Sequence, residues 1–293
     1  MAEACREIGF FVVVGHGVPA EVFSGAHQSV RAFFDLALEE KETCRPADGG
    51  FLGYFGLGTE RGSTSRSDLP DLKERFAMGR CDAHPGAGQN LWPRSSDSLQ
   101  RALCDYYRWM ERFSGTMMRS LAGPLGVEAN YFEDKIDRQL SYLAALNYPS
   151  LQGESLPGMR ASAHRDRPCL TFLSTVEAVG VSAGLEVERD DGSWEGIPVP
   201  SGSLVVNVGS MLALWTGGAW KAALHRVSNP TEQRGAETRR QSLAYFFSPN
   251  PEVILSPFPF CVDPGSPPSE HPLTVAQHLQ SMLEFHARGK GAT

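Results

Sequence analysis

His164 and Asp166 bracket a single residue, Arg165, and a second imidazole stands well downstream at His225. Two neutral imidazoles and one carboxylate can occupy one face of an octahedral Fe(II) and leave the opposite face open for substrate, cosubstrate and O2. The spacing suits that task, because residues i and i+2 of a β-strand point the same way. His164 and Asp166 would then share a face while Arg165 turns elsewhere. Of the eight His in the chain, only His164 has an acid two residues later. Further on, Arg240, Ser242, Ala244 and Phe246 fall in one row at the same spacing of two.

The elements that must position these residues divide the chain into two textures. Phe10–Val14 reads as a buried strand ending at Gly15. Val22, Val30, Phe33, Phe34 and Leu38 fit helical spacing, so a helix is expected from about Pro19 to Glu42. Residues 45–70 and 81–97 read as long loops, with a short strand over Leu72–Met78 between them. Leu99, Leu103, Tyr106, Met110, Phe113, Met117 and Leu121 make the strongest amphipathic helix, and its aromatics and Met read as core. After residue 138 the pattern changes to short β segments at 140–147, 169–175, 185–188, 194–198, 204–208, 222–227 and 242–248. Turn signals such as Asp190-Asp191-Gly192 and Ser201-Gly202 separate them, which suggests a sandwich or barrel such as a jelly roll. Trp215 and Trp220 flank Gly217-Gly218 and are expected to pack a hairpin. Thr274 and Gln277 form a capping-box pattern opening a last helix, with Val275, Leu279, Met282 and Leu283 on one face. The expected fold class is α+β, mainly β, in a single domain over 1–293. Within it, 1–138 is helix-rich, 139–250 is the β core, and 251–293 is a C-terminal segment and helix.

Composition excludes several function classes. The net charge is −7 and no dense Lys/Arg run appears, so no nucleic-acid footprint is expected. The longest strongly apolar run, Phe10–Val14, is far short of the roughly 20 residues needed to cross a membrane, and the N-terminus lacks a secretory h-region. The six Cys are scattered without a CxxC pair, which fits reduced thiols, a cytoplasmic location and no Cys-based zinc site. A monomer is favoured.

Four stretches together resemble the isopenicillin N synthase-like family of non-haem iron oxygenases. Ile8-Gly-Phe-Phe-Val-Val-Val-Gly-His-Gly-Val-Pro19 resembles its N-terminal signature. Asn207-Val-Gly-Ser-Met-Leu-Ala-Leu-Trp-Thr216 followed by Leu224-His-Arg-Val227 is similar to the segment leading to its distal His. Arg240-Gln-Ser242 with Tyr245-Phe-Phe247 matches its RxS and following strand, and His164-Arg-Asp166 its HxD. The resemblance spans nearly the whole chain. It implies a double-stranded β-helix (jelly-roll) core, Fe(II), O2 and usually 2-oxoglutarate. The chain departs from the pattern at three places. Pro168 replaces a Gly after the HxD, Ser210 replaces an Asp, and Thr231–Arg239 lengthens the gap after the second His as an expected hairpin loop. Met1–Cys5 corresponds to the middle of a family helix, so the chain resembles a member lacking the first strand.

What the resemblance implies for the site is specific. His164, Asp166 and His225 would hold Fe(II). Arg240 would pair with the far carboxylate of 2-oxoglutarate through its planar fork, with Ser242 and Tyr148 assisting. Phe246, Tyr54 and Phe51 are substrate-pocket candidates. Arg165 and Arg167 alternate away from the metal and are expected on solvated faces, and His16 in a structural hydrogen bond. The expected function is hydroxylation, desaturation or cyclisation of a small molecule, with release of succinate and CO2. A 2-oxoglutarate-independent iron oxidase of the same fold is the alternative, since isopenicillin N synthase and the ethylene-forming aminocyclopropane oxidase also retain an RxS. A non-catalytic metal binder is the third reading, and a zinc hydrolase is remote because Arg240 would have no task there.

Overall fold

In the computed structural model, the described residues are 1–47, 50–60, 69–82, 89–94, 97–150, 158–175, 184–229, 238–258, 261 and 272–280. The N-terminal part contributes α1 (Ala2–Glu7), β1 (Phe10–Val13), α2 (Ala20–Phe34), α3 (Leu38–Glu42), β2 (Gly53–Phe55), β3 (Glu74–Met78) and α4 (Asp97–Ala122). The β-rich part follows as β4 (Tyr142–Tyr148), β5 (Ala161–His164), β6 (Leu170–Thr175), β7 (Leu185–Glu188), β8 (Trp194–Gly196) and β9 (Leu204–Val208). It continues with α5 (Ser210–Trp215), β10 (His225–Val227), β11 (Arg240–Phe247), β12 (Ile254–Leu255) and β13 (Leu273–Thr274).

The strands form a seven-stranded antiparallel sheet, in the order β1-β9-β6-β11-β4-β3-β2, and a four-stranded antiparallel sheet, β5-β10-β7-β8. This is the expected jelly-roll core. One core cluster lies where α2 and α4 cover the outer face of the larger sheet, built from residues such as Phe33, Phe76, Tyr106, Met110, Phe172 and Tyr245. A smaller cluster, including Phe10, Tyr148, Leu185, Val187 and Val205, fills the space between the two sheets. The active-site candidates face this inner space.

Local chemistry explains most departures from expectation. The helix expected over 19–42 breaks after Phe34. Asp35, a poor helix former, gives its carboxylate to Arg239 at 2.5 Å, and Ala37 turns extended at ψ 148. β2 lies inside an expected loop, with Gly53 at φ 108, where an added Cβ would meet the Cys44 carbonyl at 2.2 Å. Trp215 ends α5 instead of packing a hairpin. The helix stops at Gly217 and Gly218, both at positive φ, so its indole enters the core. The capping box forms as expected, with Thr274 N–H donating to Gln277 Oε1 and Gln277 N–H to Thr274 Oγ1. Val275 packs in the core and Leu279 against it, whereas Met282 and Leu283 lie outside the described residues, as does most of the expected loop over Thr231–Arg239. The expectation of uniformly reduced thiols is corrected at one pair. Cys81, just past β3, is disulfide-bonded to Cys104 on α4, with Cα atoms 5.8 Å apart. Packing α4 beside the end of β3 brings them together, which linear spacing cannot reveal. Cys5, Cys44, Cys169 and Cys261 are free.

The outer face of β3 carries a charged network. Glu74 accepts from Lys41 Nζ at 2.7 Å, from the Tyr54 hydroxyl and from Asn147 Nδ2, and both charged side chains are about one-tenth exposed. Removing the carboxylate leaves a buried ammonium without a counter-charge, a change that costs about 3–5 kcal/mol. Glu74→Ala is therefore expected to lower the urea midpoint by that equivalent, with an unchanged transition slope.

Candidate active site

His164 ends β5 and His225 begins β10, and the two are register partners across that antiparallel pair, with ring centroids 4.3 Å apart. Each ring is fixed in the same way. Nδ1 of His164 meets the Ser162 carbonyl at 2.8 Å and Nδ1 of His225 meets the Ala223 carbonyl at 3.0 Å. A carbonyl can only accept, so each Nδ1 carries the proton and each Nε2 keeps its lone pair. Asp166 stands beyond the end of β5, not on the strand itself, yet its Oδ1 lies 3.6 Å from His164 Nε2 and 3.8 Å from His225 Nε2. One ligand atom from each of the three residues falls within 4.8 Å of the others. Burial, with the neighbouring His225 imidazole, lowers His164 to a pKa of about 4. Burial alone would raise Asp166, but the two His and the hydrogen bonds to Thr171 and Asn207 outweigh it and hold the carboxyl below its usual range. A divalent metal requires neutral imidazole and ionised carboxylate ligands, and the shifts of His164 and Asp166 both run in that direction.

The other Asp166 oxygen is occupied by the protein. Oδ2 accepts from Thr171 Oγ1 on β6 at 2.6 Å and from Asn207 Nδ2 on β9 at 2.8 Å. These orienting groups were not read from the sequence; the signal was a lone amide within the apolar run Leu204-Val-Val-Asn-Val208. Partners of this kind typically affect metal affinity 10–100-fold. Asn207→Leu keeps an apolar strand but removes one donor, and is expected to weaken Co(II) or Fe(II) binding by roughly tenfold or more in a metal titration. The main chain of Asp166 is also fastened. Its carbonyl accepts the Ser210 N–H at 2.8 Å, while the Ser210 hydroxyl donates to the Arg167 carbonyl at 3.0 Å. Ser210 thus secures the turn despite replacing the expected Asp.

The three residues line a cavity of about 200 Å³ between the sheets. β11 contributes Arg240, Ala244 and Phe246 to it, while β4 contributes Tyr142, Ala144, Leu146 and Tyr148, as period-two faces of paired strands require. Arg240 is 3% exposed and lies 5.0 Å from the Tyr148 ring centroid. Its Nη1 donates to Ser242 Oγ at 3.3 Å, but Nε and Nη2 have no hydrogen-bond partner among the described residues. Burial pulls its pKa down, opposed by Tyr148. Ser242 is fully buried and is not among the lining residues, so what it touches is Arg240. Phe246 stacks on Tyr142 at 4.5 Å, and Phe51 sits edge-on to Tyr142 at 4.7 Å, both on the cavity wall. Tyr54 is elsewhere: it is 1% exposed, points to the outer face of β3 and binds Glu74, so its assignment as a pocket residue is corrected. Strand alternation puts Tyr54 on the helix-covered side. Arg165 and Arg167 border the cavity as well: Arg165 is exposed as expected, with its guanidinium donating to the Ala222 carbonyl, whereas Arg167 is half-buried. Lys73, Arg75, Glu60 and Asp71 complete a charged wall that the sequence reading passed over. His16 forms its expected structural bonds, to the Gly202 carbonyl and from the Val18 N–H.

Comparison with known proteins agrees with this geometry. The family described as the N-terminal region of a non-haem dioxygenase in morphine synthesis matches residues 1–95, and the 2OG-Fe(II) oxygenase superfamily matches residues 139–249. Validamycin A dioxygenase of Streptomyces hygroscopicus subsp. limoneus is 34% identical over 276 residues, covering 90% of this chain and 74% of that protein. A full-length Neurospora crassa protein in complex with alpha-KG superposes with a TM-score of 0.85 at 25% identity, covering 97% of this chain and 88% of that one. JOX2, crystallised with 2OG, Fe and JA, gives a TM-score of 0.80 at 26% identity, covering 97% and 80%.

Proposed function

Because the chain belongs to the 2OG-Fe(II) oxygenase superfamily and acts as an Fe(II)- and 2-oxoglutarate-dependent dioxygenase on a small molecule, we propose that His164, Asp166 and His225 hold the iron and Arg240 the cosubstrate. Bound Fe(II) and 2-oxoglutarate supply the oxidising chemistry from O2, with succinate and CO2 released. The donor set fits: two Nε2 lone pairs and one carboxylate oxygen converge, and every other donor atom of the three side chains is already engaged. The observation that carries the cosubstrate assignment is the pair of unpartnered nitrogens on the buried Arg240 guanidinium. A buried guanidinium with two idle donors is costly unless a ligand anion completes it. The distal carboxylate of 2-oxoglutarate is that anion, received against the Tyr148 ring, while Ser242 fixes the fork from below. Tyr142, Phe246 and Phe51 form the apolar wall for the substrate, and exclude water from it. The reading takes residues 1–293 as one catalytic unit and a monomer, and its acidic net charge supports the absence of a nucleic-acid partner. No helix among the described residues is long and apolar enough to cross a membrane.

The test is an anaerobic titration of Fe(II)-loaded protein with 2-oxoglutarate, following the weak visible charge-transfer band of a bidentate keto acid on iron. A saturable band supports the assignment. Bound iron with no band at any concentration returns the protein to the 2-oxoglutarate-independent class.

A further inference from the structure

The cavity is locally basic in an acidic protein. Among the described lining residues, Lys73, Arg75, Arg165, Arg167 and Arg240 face three carboxylates, Glu60, Asp71 and Asp166, although the chain carries a net charge of −7. The double charges of Fe(II) and 2-oxoglutarate cancel each other, so the excess of cations is left for the substrate to meet.

Arg75 is the cation built for that meeting. It lies on β3, is 7% exposed, and its guanidinium carbon stands 4.8 Å from the Phe51 ring and 4.2 Å from the Phe55 ring. Held between two rings, the guanidinium plane cannot swing freely. Nε donates to Glu60 Oε1 at 2.8 Å and Nη1 to the Phe51 carbonyl at 3.3 Å, and Nη2 makes no hydrogen bond within the described residues. Phe51 touches Tyr142 as well, which brings a second donor to the same corner. The Tyr142 hydroxyl likewise has no hydrogen bond within the described residues, and its ring is stacked on Phe246. Lys73 is ion-paired too, to Asp71 at 2.6 Å, as Arg75 is to Glu60, but what sets Arg75 apart is the pair of rings that fixes its guanidinium. An aromatic floor therefore ends in two donors without a hydrogen bond among the described residues, one of them permanently charged, and that combination matches a carboxylate attached to a ring or a short apolar chain.

We infer that Arg75 is the substrate-recognising cation of this cavity, acting with the Tyr142 hydroxyl, and that the substrate is a small carboxylate-bearing molecule whose apolar part lies against Tyr142 and Phe246. The inference rests on the oxygenase reading for the identity of the cavity, but not on which cosubstrate the iron takes. The cavity must hold cosubstrate as well, so the substrate is compact.

The experiment uses Fe(II)-loaded protein held anaerobically with 2-oxoglutarate. The probes are a set of cyclic and short-chain aliphatic carboxylic acids, each paired with its primary amide, and binding is read from the thermal midpoint and from perturbation of the charge-transfer band. Acids are expected to bind at least about tenfold tighter than their amides, as a charge-assisted hydrogen bond allows. Arg75→Met keeps a straight apolar stem between Phe51 and Phe55 and is expected to erase the preference for acids while the 2-oxoglutarate titration stays as in wild type. Arg75→Lys is expected to restore part of it, and Tyr142→Phe to weaken it without abolishing it. Amides or amines binding as well as the acids in wild type, or no acid binding at millimolar concentration, would overturn the inference without needing any variant. Full acid preference persisting in Arg75→Met would also overturn it, leaving Arg75 a structural partner of Glu60. A missing band with the acid preference intact would strike the cosubstrate reading alone and leave this assignment standing.

Discussion

Arg240→Ala will weaken 2-oxoglutarate binding roughly a hundredfold to a thousandfold while leaving iron binding in place. The size follows from the environment: removing one partner of a buried, hydrogen-bonded charge pair costs about 3–5 kcal/mol, because the remaining charge stays desolvated. Here the stranded group would be the distal carboxylate of the ligand. The unfolding midpoint of the ligand-free protein is expected to move in the opposite sense or not at all. In the free protein, Arg240 has two nitrogens without a hydrogen-bond partner among the described residues and the like charge of Arg160 nearby, so deleting it relieves a desolvation penalty as it opens a cavity. Paired titrations of Fe(II) protein with 2-oxoglutarate, and thermal scans with and without it, separate the two effects. Equal losses of stability and of ligand affinity would mean that Arg240 serves the fold and not the cosubstrate.

Gly209→Ala is expected to be the most damaging small change outside the ligands themselves. Gly209 needs no positive φ, so backbone strain is not the reason. A Cβ there would lie 1.8 Å from the Pro168 carbonyl oxygen and 3.2 Å from that of Asp166, both main-chain atoms that cannot rotate away. The turn carrying Asp166 must shift, and with it the N–H bond from Ser210 that fastens it. Overpacking of this kind costs about 3 kcal/mol, and iron affinity should fall by more than tenfold because one ligand leaves its place. Gly25→Ala provides the matched control. That glycine is inside α2 with nothing within 4 Å of its added methyl, so the same chemical change should be neutral or stabilise by up to about 1 kcal/mol. Denaturant midpoints and Co(II) titrations on both variants decide the matter. A Gly209→Ala protein with wild-type metal affinity would show that the 166–168 turn yields without cost.

Legibility of the sequence tracked how local each feature is. The triad proposed to hold iron could be read because its residue types are rare in that spacing, and the Arg240 row because strand alternation is a period-two rule. Alternation also placed Phe246 on the cavity wall. Tyr54 was misplaced because residues 45–70 read as a loop, which has no strand faces to tell apart; as part of β2 it lies on the side that α2 covers. Asn207 and Thr171 escaped notice since each is ordinary alone and meaningful only beside Asp166. Arg75 was passed over because nothing in its spacing shows that Phe51 and Phe55 clamp it. Cys81 and Cys104 looked unrelated because their pairing is a product of helix-to-sheet packing, not of spacing. Departures such as Pro168 and Ser210 proved compatible with the turn, which is held by the Ser210 N–H on the Asp166 carbonyl and by the Ser210 hydroxyl on that of Arg167.

The proposed ligand set is divided between the two layers of the fold. Both imidazoles belong to the four-stranded sheet, on β5 and β10, whereas the carboxylate is tied by Thr171 and Asn207 to β6 and β9 of the seven-stranded one. Filling the site therefore couples layers that otherwise meet mainly through a small apolar cluster. Metal affinity and interlayer breathing become one linked equilibrium: whatever lets the sheets part lowers occupancy, and occupancy suppresses the parting by mass action. Amide exchange on the thin sheet thus reports the loading state of a centre it only half contains.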